Sequence, residues 1–280
     1  MLFFKEEDVA KFYTVQFLYI KTSLKGNVLE ITLNRPEKRN AFTPTMANEI
    51  AFALAYAKNL DEIRCVIIRA EGPVFCAGAD LNAFHDPTAD QINQTLPPPI
   101  EEVRLGDAFA NLNKPCIGQV EGSVFAGGFL IICGCSFVVS IPEANFSLPE
   151  VKRGIWPMQV MASLIDIIPK RKILEMSITG KSYSAKEALD FGLVTQTEEK
   201  EVIEEEVDKL ANLICSNAPY AIKSGMEALR NLSTIEEGKR HTYLKAQLDK
   251  LLKSEDAKEG TAAFKEKRTP IWKGKSPKIS

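Results

Sequence analysis

Two small-residue turns and one carboxylate are the parts of this 280-residue chain best suited to chemistry. Residues 122–128 read Gly-Ser-Val-Phe-Ala-Gly-Gly, an uncharged apolar run follows, and Asn145-Phe-Ser-Leu-Pro-Glu150 ends the stretch on a carboxylate. Upstream, Phe75-Cys-Ala-Gly-Ala-Asp-Leu81 makes a second turn of the same kind. A tetrahedral or enolate oxyanion is best held by two convergent backbone N–H groups, which do not titrate and need no reorganisation. Glycine exposes the backbone in a turn and leaves no Cβ in a ligand's way. Taken together, the turns each supply one N–H to a shared oxyanion site that Glu150 faces as proton carrier. Taken singly, each turn is better explained by tight packing.

The surrounding elements must bring these pieces together. Residues 17–22 and 28–33 read as strands of a hairpin split by Lys-Gly-Asn. Thr43 suits an N-cap and Pro44 the first position of a helix running to about Asn59. Residues 64–69 and 115–120 are short apolar strands of the kind buried on both faces. The first leads into the Phe75–Leu81 turn, and the second leads towards Gly122. Residues 86–100 are polar and proline-containing, which predicts a mobile loop beside the site, and a helix is expected over 101–112. Downstream the pattern is helical, over 158–168, 170–179, 198–216, 219–229 and 234–252. Ser184-Ala-Lys-Glu187 is a capping box for one more helix, stopped by Gly192. Residues 269–280 read as a loose basic tail. This order divides the chain into an N-terminal extension (1–16), an α/β core (17–205) and a helical C-terminal region with the tail (206–280).

Composition narrows the function classes. A formal charge of −2 gives no electrostatic case for nucleic acid or an anionic membrane as main partner. Residues 122–141 are uncharged over a membrane-spanning length. Their glycines and serines, the following Pro142 and a strand-like end favour buried core instead. The six cysteines are scattered, with no paired spacing and too few histidines for a zinc site. Most lie in apolar runs, so no metal and a reducing, cytoplasmic setting are expected. Neither a GxGxxG turn after a strand nor a Walker A loop is present.

In their order along the chain, these motifs resemble the crotonase family, the enoyl-CoA hydratase/isomerase proteins. The resemblance spans about residues 17–272. It rests on Asn34-Arg-Pro-Glu-Lys-Arg-Asn-Ala, the Phe75–Leu81 turn, Ala126-Gly-Gly, Phe146-Ser-Leu-Pro-Glu150, Ser184-Ala-Lys-Glu-Ala, Gly192-Leu-Val and Ala263-Phe-Lys-Glu-Lys-Arg268. It implies a ββα-superhelix core with a C-terminal helical trimerisation region, assembled as a trimer or hexamer. By position, the oxyanion donors are the N–H groups of Ala79 and Gly127, with Glu150 catalytic. The implied partner is an acyl-CoA or acyl-carrier thioester. Coenzyme A enters as part of the substrate, and no cofactor is permanently bound. The implied CoA and substrate contacts are Arg39, Ala41, Ala77, Gly78, Asp80, Leu81 and Leu130. Phe264 and Lys267 are implied to come from a neighbouring subunit, where a lysine suits the CoA phosphates.

One departure bears on the reaction. Hydratases of this family carry a second glutamate just after the Gly-Gly turn, and Leu130 stands there. Leucine cannot activate water, whereas Glu150 alone can take an α-proton from a thioester and return it elsewhere, as in Δ3–Δ2 enoyl isomerisation. An atypical hydratase, an acyl-CoA decarboxylase and a non-catalytic acyl-CoA-binding protein remain alternatives. His85 and Glu121 are candidate substitutes for the missing group. Ser123 with a histidine is the weaker hydrolase reading, since only His85 and His241 exist. A bare salt bridge from Glu150 to Lys152 or Arg153 is the structural alternative to catalysis.

Overall fold

A computed structural model describes residues 3–275. After an opening hairpin, its strands come in consecutive pairs whose two members go to different sheets. The antiparallel hairpin of β1 (Ile20–Lys25) and β2 (Val28–Leu33) opens the larger sheet. Next, β3 (Cys65–Ala70) pairs in parallel with β2, and β4 (Val74–Cys76) starts a smaller sheet. The step repeats with β5 (Cys116–Val120) and β6 (Ser123–Phe125), then with β7 (Phe137–Ser140) and β8 (Asn145–Ser147). Antiparallel to β8 runs β9 (Ser182–Ser184), and β10 (Gln196–Thr197) extends the larger sheet beside β7. The orders are β1-β2-β3-β5-β7-β10 and β4-β6-β8-β9. Laying one strand in each sheet and then turning into helix generates the expected ββα superhelix.

Helices follow where the small sheet's parallel strands end. After β4 comes Leu81–His85, and after β6 the 3₁₀ turn Ala126–Gly128 runs into Phe129–Ile132. After β8 comes the 3₁₀ helix Pro149–Arg153. The larger helix Pro44–Asn59 starts as expected: the Thr43 side chain accepts the Met46 N–H at 3.1 Å and Pro44 is first. It buries Met46, Ile50, Ala53, Leu54 and Ala57 against the core. The capping box at Ser184 is formed in both directions. No helix among the described residues is long and apolar enough to cross a membrane; residues 122–141 fold as strand, turn, short helix and strand.

Four expectations need correction. The first strand begins at Ile20 rather than residue 17, because the N–H groups of Leu18 and Tyr19 donate to the Glu49 carboxylate at 2.8 and 2.9 Å. The loop over 86–100 is pinned: Asn93 Nδ2 donates to Glu49 and to Gln16 O, and the Thr45 N–H donates to Asp90. The expected 234–252 helix is broken, and its regular part is Arg240–Leu251. The Ser233 and Thr234 hydroxyls instead bond back to the carbonyls of Arg230 and Asn231, which favours a stop. A further helix, Glu255–Glu266, then starts on the Ser254 N-cap. The beginning of the tail is held, not loose. Trp272 Nε1 donates to Ser216 O at 2.7 Å, and Asp256 accepts from the Lys273 and Gly274 N–H groups. Residues 276–280 of that tail lie outside the described residues.

The N-terminal residues also join the core. Phe3, Phe4, Val9, Phe12 and Val15 are buried, and Phe12 stacks on Tyr56 with ring centroids 3.9 Å apart. Glu49 ties two segments to one helix: the approach to β1 and, through Asn93, residues 93–96. Its carboxylate is fully buried, and burial pushes its pKa up despite the lowering pull of the Leu18 and Tyr19 N–H groups and Asn93. Glu49→Ala should destabilise the protein by about 3 kcal/mol, because the Leu18 and Tyr19 N–H groups lose their acceptor and Asn93 loses one of its two. Urea unfolding of the two proteins measures the difference.

Candidate active site

The two turns meet through backbone. Phe42 N–H donates to Gly78 O, Asp80 N–H to Phe42 O, and Ala77 N–H to Arg39 O, each at 2.9–3.0 Å. These bonds use the groups on either side of Ala79 and leave the Ala79 N–H outside that ladder. Gly127 is the second residue of its 3₁₀ turn, where N–H groups have no partner within the helix. A Cβ on Gly78, at φ 95°, would lie 2.8 Å from Ala126 Cβ and 3.0 Å from Gly127 N. A Cβ on Gly127 would stand 3.3 Å from Ala79 N. The turns are thus in van der Waals contact, and Gly78 is required there both for conformation and for space.

Glu150 enters from the next strand. β8 pairs with β6, and Phe146 makes an edge contact with Phe129 at 6.4 Å, which seats β8 against the helix following the Gly-Gly turn. The sequence Leu-Pro-Glu then turns the chain into the Pro149–Arg153 helix, and Gly154, at φ 75°, ends it. Only 9% of Glu150 is exposed, and its Oε2 is buried with no hydrogen-bond partner. Neither Lys152 nor Arg153 forms an ion pair with it among the described residues. Burial pushes its pKa above the usual carboxylate value, opposed by its own N–H and by the charge of Arg153.

One cavity of about 380 Å³ collects these groups. Ala77, Ala79, Leu81, Gly127, Leu130 and Glu150 all line it, with Phe42, Phe84, Trp156 and Met158 supplying apolar wall. Gly78 and Asp80 lie behind this surface. The Asp80 carboxylate accepts from Arg35 and from the Ala83 N–H. His85 does not line the cavity; its Nδ1 sits 2.6 Å from Leu81 O. Glu121 accepts from Gln119 and lines a different cleft, and the Ser123 hydroxyl accepts from the Asn145 N–H. The substitutes His85 and Glu121, and the Ser123 hydrolase reading, therefore have no geometric support.

The profile of the enoyl-CoA hydratase/isomerase family matches residues 23–275. A carnitinyl-CoA dehydratase of Escherichia coli is 34% identical over 256 residues, covering 89% of this chain and 96% of that protein. The chain belongs to this family. A mevalonyl-coenzyme A hydratase of Aspergillus fumigatus is 32% identical over 251 residues, 88% of this chain and 92% of that one. An enoyl-CoA hydratase structure from Mycobacterium tuberculosis superposes with a TM-score of 0.81 at 28% identity, over 92% of this chain and 99% of the other. The fold is therefore the crotonase fold, with a helical C-terminal region.

Within that family frame, several residues lie apart from the cavity. Arg39 is exposed at φ 53°, next to the half-buried Ala41. Phe264 is 86% exposed at the end of the Glu255–Glu266 helix, which Lys267 caps at φ 55°. Neither lines the cavity. Sequence reasoning missed Glu102, Arg104 and Gly106, which line the cavity from the segment before the Leu105–Ala110 helix and its first turn. The expected helix over 101–112 gave no sign that its N-terminal end faces the site. A Cβ on Gly106 would approach Leu130 Cδ2 to 3.7 Å, so the glycine faces Leu130.

Ala126 holds φ 51°, a left-handed conformation costly for any residue with a Cβ. Ala126→Gly should therefore stabilise the protein by about 0.5–1 kcal/mol, less than the strain removed because glycine loses more entropy on folding. A higher denaturant midpoint at unchanged slope is the expected result.

Proposed function

We propose that this protein catalyses proton transfer at the α-carbon of an acyl-CoA thioester, with isomerase-type chemistry. What carries the reading is Glu150: a buried carboxylate with an unpartnered oxygen, in the same cavity as the two contacting turns. The thioester oxygen accepts from the Ala79 and Gly127 N–H groups. Glu150 removes the C2 proton of a 3-enoyl-CoA, and the electron pair moves into a dienolate whose negative oxygen those N–H groups stabilise. The same carboxyl then delivers the proton to C4, giving the 2-enoyl isomer. Its raised pKa suits a group that must both take and return a proton. Leu130 keeps that side of the reacting carbons apolar.

A second reading is hydration or dehydration, favoured by Glu102. This carboxylate also lines the cavity, and the two similar proteins named above are a dehydratase and a hydratase. In that reading Glu102 positions water in place of the glutamate replaced by Leu130. For either reading, the CoA portion runs past Arg39, Ala41, Ala77 and Leu81. Its phosphates meet Lys267 and Phe264 of a neighbouring subunit in a homotrimer or hexamer. The large apolar exposure of Leu229, Leu252 and Phe264 on the C-terminal helices supports such assembly. Six free thiols, several with pKa values raised by burial, fit a reducing, cytoplasmic setting.

NMR of the products from 3-enoyl-CoA and from crotonyl-CoA separates the readings. Isomerisation without hydration supports the first. Hydration that Glu102→Gln abolishes, with isomerisation intact, supports the second. Glu150→Gln should lower kcat by at least about 100-fold on whichever substrate is processed; turnover within a few-fold of wild type ends the assignment.

The pH dependence has a definite sign. Activity needs the ionised carboxylate, so kcat/KM rises with pH through a midpoint above 4.5, the ordinary glutamate value. Stability runs the other way. The raised folded-state pKa contributes stability that is fully present below the unfolded value and lost as pH rises through the folded one. Glu150→Gln should therefore match or exceed wild type in Tm at pH 8, and that advantage should vanish near pH 4.

A further inference from the structure

The turn that presents the Ala79 N–H is held from behind by a charged side chain that does not reach the cavity. Arg35 is buried, with 8% of its side chain exposed. Its Nη1 donates to Asp80 Oδ2 at 2.8 Å and to Ala41 O at 2.8 Å. The guanidinium thus joins the two chain segments whose backbones already zip together around Phe42 and Ala79. Its other face lies over the Tyr19 ring at 5.4 Å. Asp80 completes the brace, since its second oxygen caps the Leu81–His85 helix through the Ala83 N–H. Burial opposes ionisation of Asp80, but the Arg35 bond and charge and the local N–H groups outweigh it and hold the carboxyl below its usual range.

The loop at the base of the brace is fixed as firmly. Asn40 is fully buried at φ 52°; its Oδ1 accepts the Arg35 N–H, and its Nδ2 donates to Glu71 O and Val74 O, each at 2.8 Å. Arg35 therefore projects from a backbone with no freedom of its own, and Val74 belongs to β4, the strand that leads into the Ala79 turn. A chain of direct bonds runs from β4 through Asn40 and Arg35 to Asp80, the residue after Ala79. Elementary helix capping needs only the Asp80 side chain. The buried guanidinium is additional, and an arginine removed from water is retained only where its geometry is satisfied.

We propose that Arg35 and Asp80 are positioning residues for the oxyanion donor: their ion pair fixes the direction of the Ala79 N–H. The proposal rests on the reading of Ala79 as an oxyanion donor. Neither Arg35 nor Asp80 lines the cavity, and the pair acts through the turn. Loss of either charge removes no cavity-lining side chain but lets residues 77–80 relax against residues 39–42. Misplacement of a donor by a fraction of an ångström costs most where charge develops, in the transition state.

The test uses the intact protein and four variants: Arg35→Met, Arg35→Lys, Asp80→Asn and the double variant Arg35→Met/Asp80→Asn. Two probes are bound to each, a saturated acyl-CoA thioester and the matching CoA thioether, which has no carbonyl oxygen. The infrared stretch of the bound, ¹³C-labelled thioester carbonyl reports hydrogen bonding directly. The expected result is a wild-type carbonyl frequency below that in water, shifted back towards the water value in Arg35→Met and Asp80→Asn. The thioether should bind all variants within about threefold of wild type, and kcat should fall about 10- to 100-fold with little change in KM. The double variant should lose no more than the worse single variant, because the two residues act as one unit. Should Arg35→Met not fold, Asp80→Asn and Arg35→Lys carry the same readout. A carbonyl frequency unchanged in a folded variant overturns the positioning role while leaving the donor reading intact. A wild type that binds thioester and thioether alike, with no carbonyl shift, overturns the donor reading and the proposal with it.

Discussion

The spacing of three parallel strands governs the rest of the molecule. β4, β6 and β8 lie side by side in the small sheet, and each ends in one piece of the site: the turn at residues 77–79, the turn at 126–128, and Pro149-Glu150. Neighbouring strands sit about 4.8 Å apart. Backbone N–H groups just past two adjacent strand ends can therefore reach one oxygen, while a side chain from the third reaches the carbon next to it. The larger sheet supports this arrangement by feeding each of these strands from a buried partner one step earlier in the chain. Side chains at the junction must then be nearly absent, which is why Gly78 faces Ala126 and Gly127 across a gap that no Cβ could enter.

Such a site works against stability. Ala126 stands in a left-handed conformation, and Glu150 is buried with an oxygen unpartnered. Both features are unfavourable in a chain selected only for packing, and both occur within the cavity. The compensation lies outside it, in groups that are fully satisfied: Asn40 with three hydrogen bonds, Glu49 with three donors, and Lys114 donating to Ala57 O and Leu60 O at the end of the Pro44–Asn59 helix. Buried polar groups of this kind specify one arrangement of loops because every alternative strands a donor or a charge.

What was legible in the sequence was local. Thr43-Pro44, Ser184-Ala-Lys-Glu187 and the short apolar strands declare themselves through capping chemistry and periodicity, and small-residue turns followed by a lone Pro-Glu declare the candidate site. What escaped was set by partners distant in the chain. Leu18 and Tyr19 look like strand, yet their N–H groups go to Glu49, about thirty residues on. Residues 86–100 are polar, but Asn93 and Asp90 use that polarity on buried partners rather than on water. The Glu255–Glu266 helix had a readable N-cap in Ser254, although the helical pattern is read only as far as residue 252. Glu102 has no local signature, since only the fold brings that segment to the cavity.

The contrast between Glu150 and Glu102 bears on the reaction more than any motif does. Both are carboxylates on one cavity, but Glu150 is desolvated and Glu102 is exposed. A desolvated base gains a proton readily and, with apolar Leu130 and Trp156 also lining the cavity, has little besides substrate to give it to. That favours transfer from one carbon to another. An exposed carboxylate at the rim is already in contact with water and can orient it. Leu130, which cannot activate water, lines the same cavity, so in the proposed reading water chemistry belongs to the rim and carbon-to-carbon proton transfer to Glu150.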